Sequence, residues 1–552
     1  MPLTCLDAPV AIVLITLDDM RFDQVAYLPE SAARMNGLSF SRAYVTTPLC
    51  APSRASLLSG GYTAAQTGVL GNGEPNGGAA RFPDGRTLAT RLQEHGYATG
   101  LVGKYLNGYE DVAPYVPPGW TEWAAWANPD AWSEYDLIEG SSTASASSMG
   151  TRVHHSRYFA EYQAEWAARF LHDHRSEPLF LYVSMLAPHN PHIPAESDTE
   201  LYPGYTYRER GYQEGDVTDK PAWVQALPLW TTDEQALADA EDRERLQSLA
   251  AADRAIVSIL DAITSEGLSE HTLVVVTSDN GQMWGEHRLA DKGVAYEEAS
   301  RVPLVFLHPG LSPTEDDRLV AMNLDLPATI QELAGLSLET AGVSFAPLLC
   351  GGETPRRESL LLENWSIEEP AWAGLVTPGE KYVEWVTGER ELYDLINDPY
   401  ELTSQHGDAS VAVRIEALSD TLAATRGLDI VTRALPDATL GEPYEATLAS
   451  WGGVGAITWA SDGPLPSGLT LAGDGTISGI PTAGGDRHFP VAVEDEDTSP
   501  LTGAPQRVES LVTLRIVEKD GGCGCGTGTR GAGGVAAALA AALGRRRLSG
   551  AR

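Results

Sequence analysis

Two acidic pairs stand where carboxylates could hold an ion. Asp18-Asp19 follow the apolar run AIVLITL (11–17), and Asp279-Asn280 follow TLVVVTS (272–278). Both runs read as buried strands. In open α/β sheets ligands gather at the carboxyl ends of parallel strands, so both pairs would share one rim. Three carboxylates and an amide oxygen form a hard, oxygen-only set, suited to Ca2+ or Mg2+ rather than zinc. Without compensating charge they would repel one another. Taken alone, Asp-Asp after a strand reads more readily as a turn or a cap. His189 stands just past a third apolar run, PLFLYVSM (178–185), where an imidazole could serve as general acid.

These residues need a sheet to bring them together. Beyond the three runs above, ATGLVGK (98–104) and VPLVFLH (302–308) read as strands, and 87–96, 158–172 and 246–263 are helical in period. Strands alternating with helices predict an α/β fold: a mostly parallel central sheet flanked by helices. Residues 105–150 and 190–237 are rich in Trp, Pro, Tyr, Gly and Ser with weak periodicity, and read as long surface loops. Residues 380–396 read as a hairpin around Thr387-Gly388, followed by a helix over 409–425, which makes a small C-terminal antiparallel subdomain. From about 432 to 517, short strand-like runs between Gly, Pro and Asp turns predict an all-β Ig-like sandwich. The expected division is therefore 1–370 catalytic α/β domain, 371–431 C-terminal subdomain, 432–518 sandwich and 519–552 tail.

The segment TTPLCAPSRASLLSGGYT (46–63) makes the chemistry specific. Cys50, Pro52, Ser53, Arg54, Leu57, Ser59 and Gly60 fit C-x-P-S-R-x-x-L-x-S/T-G throughout. That is the sulfatase signature, and the chain resembles the formylglycine-dependent sulfatases of the alkaline-phosphatase-like superfamily over roughly residues 10–425. A lone cysteine is otherwise most often a buried structural residue. The resemblance implies that a formylglycine-generating maturation enzyme oxidises Cys50, and that the hydrated aldehyde lies beside one divalent cation, Ca2+ or Mg2+. One hydroxyl would attack sulfur to give a covalent sulfate, and the other would expel sulfate as the carbonyl re-forms.

The same resemblance implies the other roles. Asp18, Asp19, Asp279 and Asn280 would join residue 50 as metal ligands. Arg54 would steady the formylglycine oxygen and the carboxylates, and Lys104 in GKYLNGY and Lys292 in SDNGQMWGEHRLADKG would contact sulfate. His189 in APHNPHIP would protonate the leaving alcohol, with His192 a secondary loop residue, while His287 in GEHRL would face substrate or cap a loop. Many sulfatases carry a histidine two residues beyond the lysine; here that position is Leu106, with Asn107 next. The GKYLN form resembles the N-acetylglucosamine-6-sulfatase branch, which implies a sulfated sugar or polysaccharide as substrate. ELYDLINDPYELTS (391–404) resembles the family's carboxy-terminal segment.

Composition narrows the partners. The chain has 552 residues, 43% hydrophobic and 21% charged, enough for two or three packed domains. Its 76 acidic and 38 basic residues give a net charge of -38, which repels phosphate backbones and argues against nucleic acid. Five cysteines (Cys5, Cys50, Cys350, Cys523 and Cys525) are too few and scattered for a disulfide scaffold, although Cys5 and Cys350 could pair. No secretory signal is read at the amino end and no segment has the length of a membrane span. LPSGLTL with G-x-I-x-G-x-P-T at 465–482 resembles bacterial Ig-like repeats. The tail, a Gly-Cys spacer, a short apolar run and Arg545–Arg547, reads either as a disordered end or, by its resemblance to myxobacterial carboxy-terminal sorting signals, as an anchor for display at the cell surface. Two other functions fit the same motifs: a formylglycine-dependent phosphodiester or phosphonate monoester hydrolase, and an inactive surface scaffold that binds glycans through the sandwich.

Overall fold

The structure is a computed structural model that describes residues 11–35, 37–127, 132–365, 370–426, 428–430, 432, 434–451, 456–461, 463–496 and 507–518. Cys5, Cys523, Cys525 and the tail at 519–552 lie outside the described residues. Cys350 is disulfide-bonded, and the partner suggested by the sequence, Cys5, is among those not described.

The main sheet is built from β1 Ala11–Asp18, β2 Leu38–Phe40, β3 Ala98–Gly103, β4 Glu122–Trp126, β5 Tyr135–Gly140, β6 Thr151–His155, β7 Leu179–Pro188, β8 Thr272–Ser278, β9 Leu304–Leu307 and β10 Thr314–Asp316. Their order across the sheet is β10-β2-β9-β8-β1-β7-β3-β4-β5-β6. The five central strands, β8, β1, β7, β3 and β4, are all parallel, and antiparallel pairs flank them on both sides. The expected α/β fold is therefore present, with a sheet that is mixed at its margins.

Every residue of β1 is buried, as a strand covered on both faces requires. Its alternate side chains enter two cores. Ile12 and Leu14 join Leu101, Phe180 and Val275 on one face. Val13, Ile15 and Leu17 join Leu181, Val276 and Ile256 on the other. The helices that matter for the site are α1 Cys50–Ser59, α2 Leu88–Glu94, α3 Phe159–Asp173, α4 Thr232–Ser265, α5 Met322–Leu333 and α6 Ala412–Arg426. Helices α3 and α4 pack on each other and on β7.

Two expectations are corrected here. The 105–150 stretch is not a surface loop: it holds β4 and β5, and Trp120, Trp123 and Tyr135 are buried. Its aromatic residues are strand formers that bury a sheet margin, so the composition that reads as loop is that of an antiparallel hairpin. Helix α4 begins at Thr232, well before the apolar period at 246, inside the stretch read as a loop. A capping box starts it: the Thr231 hydroxyl accepts from the Glu234 amide (3.3 Å), and the Glu234 carboxylate accepts from the Thr231 amide (2.8 Å).

The small C-terminal sheet is antiparallel, β11 Leu360–Asn364, β12 Trp372–Val376, β13 Glu380–Trp385 and β14 Arg390–Asp394 in sequential order. The expected hairpin at 380–396 is β13–β14, and its turn glycine, Gly388, has φ +88°.

The described residues divide into two compact units: those within 1–212, 231–286 and 290–426 form the first, and those within 213–230, 287–289 and 427–552 the second. The second contains the Ig-like sandwich. One of its sheets joins Ala438–Thr439, Arg507–Val517, Gly485–Asp495 and Ile457–Ala460; the other joins Tyr444–Thr447, Thr476–Gly479 and Leu469–Leu471. Trp459, Ile477, Phe489, Val491, Val512 and Leu514 fill its core. Among the described residues, no helix is long and apolar enough to cross a membrane.

Candidate active site

Four neighbouring parallel strands deliver their following residues to one rim. Leu17 of β1 is in register with Ser278 of β8, which sets Asp18-Asp19 beside Asp279-Asn280. Asp18 is in turn aligned with Pro188 at the end of β7, which brings in His189, and β3 ends at Gly103, just before Lys104. Asp19 turns the chain with φ +70°, a left-handed conformation that Asp tolerates better than most residues. Its amide donates to Asp279 Oδ1 (3.1 Å), which also accepts from the Asn280 amide (2.9 Å).

Cys50 is the first residue of α1, whose N-cap, Leu49, is extended. The positive end of the helix dipole favours negative charge there. Arg54 lies four residues on, so both side chains leave one face. The Cys50 Sγ lies 3.6 Å from Asp18 Oδ1, 3.8 Å from Asp19 Oδ1 and 2.9 Å from Lys292 Nζ. Lys292 also donates to Asp19 Oδ1, and Lys104 Nζ donates to Asp18 Oδ2 (2.6 Å). Arg54 Nε donates to Asp279 Oδ2 (2.7 Å), and its Nη1 to the Lys104 carbonyl (3.1 Å) and to Ser184 Oγ. His189 Nε2 lies 3.8 Å from Asp19 Oδ2, while its Nδ1 donates to the Asn190 carbonyl at 2.6 Å.

Burial opens the cluster in one direction. Asp18, Cys50, Arg54, Asp279 and Asn280 are sealed, whereas the His189 side chain is 22% exposed and marks the mouth. Burial alone would raise Asp18 and Asp19. The ammonium groups of Lys104 on Asp18 and of Lys292 on Asp19 outweigh it and hold both carboxyls below the usual carboxylate range. Burial pulls the His189 imidazole below its ordinary value, with Asp18 and Asp19 resisting. Burial also pushes the Cys50 thiol up to about 12, despite Lys104 and Lys292 beside it. An unmodified thiol at this place is a poor nucleophile.

The donors suit a hard divalent cation. Asp18, Asp19, Cys50 and His189 each bring one potential ligand atom within 4.8 Å of the others, and the two carboxylates are the hard donors among them. Asn280 Oδ1 is buried and has no hydrogen-bond partner among the described residues, an acceptor that a cation would satisfy. Asp279 Oδ1 already accepts two amides, so Oδ2 is its atom with capacity to spare. Three carboxylates (Asp18, Asp19, Asp279) face three cations (Arg54, Lys104, Lys292), so a divalent ion would leave the rim positive toward an anionic ester.

All the sequence-predicted residues except His287 thus meet in the first unit. His287 belongs to the second, where it is buried and its Nδ1 lies 2.6 Å from a Glu214 carboxylate oxygen. Leu106, at the position where many sulfatases place a histidine, packs into the apolar core. Sequence reasoning placed His192 as a secondary loop residue and missed the support it gives behind the rim. His192 is buried: its Nδ1 donates to the Pro188 carbonyl (2.7 Å) and its Nε2 accepts from Arg245 Nε (3.1 Å), and Arg245 pairs with Asp242. Burial, then the Arg245 charge, keeps this imidazole neutral, so it fixes the His189 turn without competing for a proton. Ser278 Oγ accepts from the Met20 amide (2.9 Å). The one signal for Ser184 and Ser278 is a small polar residue near the end of an apolar strand.

A parallel sheet thus carries at one rim a buried cysteine among carboxylates and lysines, the setting of an ester hydrolase. The family model described as Sulfatase matches residues 11–336, N-sulphoglucosamine sulphohydrolase, C-terminal matches 285–427, and Putative Ig domain matches 429–513. The chain belongs to the sulfatase family and is a sulfatase enzyme. An arylsulfatase of Chlamydomonas reinhardtii is 30% identical over 465 residues, covering 71% of this chain and 70% of that protein. The N-acetylglucosamine-6-sulfatase of Homo sapiens is 30% identical over 337 residues, 57% of this chain and 59% of that one. Among solved structures, a protein in complex with its substrate D-glucosamine-2-N,6-O-disulfate superimposes with a TM-score of 0.65 at 20% identity, covering 76% of this chain and 98% of the other.

Proposed function

We propose that this sulfatase removes sulfate from a sulfated sugar or polysaccharide, with Cys50 matured to formylglycine beside one divalent cation, Ca2+ before Mg2+. The observation that carries the reading is the convergence of Asp18, Asp19 and Lys292 on the Cys50 sulfur, which stands where the formylglycine oxygens would be. Asp18, Asp19, Asp279 and Asn280 would hold the cation. When present, the cation and formylglycine supply an acidified hydroxyl as nucleophile and positive charge against the sulfate oxygens.

The chain's own side chains do the rest. Lys104 and Lys292 bind sulfate oxygens and neutralise the charge that builds on them. Arg54 locks Asp279 and braces Asp18 so that the ligands keep their places. His189, at the mouth, hands a proton from Nε2 to the departing alcohol oxygen. The GKYLN form and the N-acetylglucosamine-6-sulfatase relatives support an amino-sugar substrate. Domain limits at 370, 431 and 518, with a tail that anchors the protein at the cell surface, complete the proposal.

The test is the mass of the tryptic peptide carrying residue 50, from protein co-expressed with a formylglycine-generating enzyme. The expected mass is that of the aldehyde or its hydrate, and Cys50→Ala should lose at least about 10³-fold in turnover with its melting transition intact. Unmodified cysteine, despite maturation of a control sulfatase in the same cells, would defeat the assignment. Rates on matched sulfate and phosphate esters separate this activity from a phosphodiester or phosphonate hydrolase.

A further inference from the structure

Lys292 is asked to hold its ammonium on two partners, Asp19 Oδ1 and the Cys50 sulfur. Yet no helix or strand spans residues 292–296; the next helix starts at Glu297. A lysine on a free loop would spread over many rotamers, at a cost of up to about 2 kcal/mol in entropy. Something else must fix its backbone.

The carbonyl of the next residue, Gly293, accepts two side-chain donors: Asn364 Nδ2 at 2.7 Å and Trp372 Nε1 at 2.8 Å. Asn364 and Trp372 face each other across β11 and β12, so both side chains rise from one face of the small sheet. Both are fully buried. A carbonyl oxygen has two lone pairs, and one bond would satisfy it; two donors at fixed places also fix its direction. The Gly293 amide donates to the Pro48 carbonyl at 2.9 Å, two residues before Cys50. Lys381 of β13 adds a third grip, donating to the Ala295 carbonyl (2.8 Å) while Glu297 and Glu401 neutralise it.

We propose that Asn364 and Trp372 are positioning residues of the sulfatase reaction: the paired donors of the small sheet clamp the Gly293 carbonyl and so set Lys292 in register with residue 50. The proposal rests on the reading of Lys292 as a sulfate-binding group. It gives the C-terminal sheet a part in catalysis although neither residue contacts the reacting atoms.

A double-mutant cycle on the matured holoenzyme tests it, with a fluorogenic aryl sulfate as substrate. Trp372→Phe keeps an aromatic ring and removes the indole N–H donor; Asn364→Leu keeps the volume and removes the other, so failure of one variant to fold leaves the second informative. Each is measured alone and combined with Lys292→Ala. The expected result is a loss of kcat/KM of about tenfold or more in the wild-type background, carried by kcat more than KM, shrinking to less than about twofold once Lys292 is gone. Equal losses in both backgrounds would show a general scaffold effect and overturn the clamp. So would wild-type rates in both single variants. Full activity of Lys292→Ala by itself would instead overturn the reading of the site, and the clamp with it.

Discussion

His189 donates from Nδ1 to the Asn190 carbonyl, which leaves Nε2 as the nitrogen that faces Asp19 and the mouth. A proton at Nε2 matters in proportion to how badly the leaving alcohol needs it. His189→Ala should therefore cost about 10²–10⁴-fold on a sugar sulfate, whose alkoxide leaves poorly, and less than about tenfold on a nitrophenyl sulfate; equal losses on both would remove the imidazole from that role. At the ligands, Asp279→Asn keeps the shape and should lower bound metal and turnover together, read by elemental analysis alongside rate. Dialysis against a chelator should do the same to the wild type, with Ca2+ or Mg2+ restoring activity. Arg54 and Asp279 are both fully buried, so Arg54→Ala strands a carboxylate and belongs with changes costing about 3–5 kcal/mol. The residues that meet at the rim were legible because their types stand at fixed spacing or directly after apolar strands. The link from His192 to Arg245 and Asp242 was not, because they come from a turn and from a helix brought together only by folding.

The elements were legible where hydrophobic period dominates. β1, β7 and β8 announce themselves as apolar runs, and α3 by its amphipathic period. The first half of α4 was not, since TDEQALADAEDRER packs little surface and rests on its capping box and on charge. β4 and β5 were hidden by tryptophan, tyrosine and glycine, which serve strands and loops alike. One element end carries its own pH dependence. His174 ends α3, with Nδ1 2.6 Å from Glu177 and Nε2 3.0 Å from Glu122. Burial lowers its pKa, but Glu177 and Glu122 outweigh that and leave it raised above 6.5. The charged form is favoured by folding, so its stabilisation is complete below pH 6.5 and fades as pH rises through the higher folded value. Melting temperatures of wild type and His174→Gln should differ more at pH 5.5 than at pH 9; a gap that widens with pH would reverse the sign of this argument.

Across the molecule, a net charge of -38 contrasts with a rim where Arg54, Lys104 and Lys292 gather beside Asp279, Asp18 and Asp19. The global field repels a polyanion at long range, while on the proposed reading the local cations bind one sulfate at contact. Added salt screens the first over about 8–10 Å and reaches the buried second far less. For a sulfated polysaccharide, kcat/KM should therefore rise as ionic strength goes from about 0.01 M to about 0.15 M, whereas a small aryl sulfate should change little. A fall for the polymer would mean that an exposed basic track guides it. The Ig-like module was legible from its turn spacing; its company with 213–230 and 287–289 in one compact unit was not, because those short pieces carry no pattern of their own.

The positive φ of Asp19 limits what variation this site can survive. Glycine or asparagine would take that backbone angle without the charge, and glutamate would bring the charge on a backbone that resists the angle. Aspartate alone meets both demands, so laboratory evolution toward another metal or another ester has no freedom at position 19. Variants that survive such selection should instead change Asn280, Lys104 or the residues around His189, and a library randomised at 19 should return its parent.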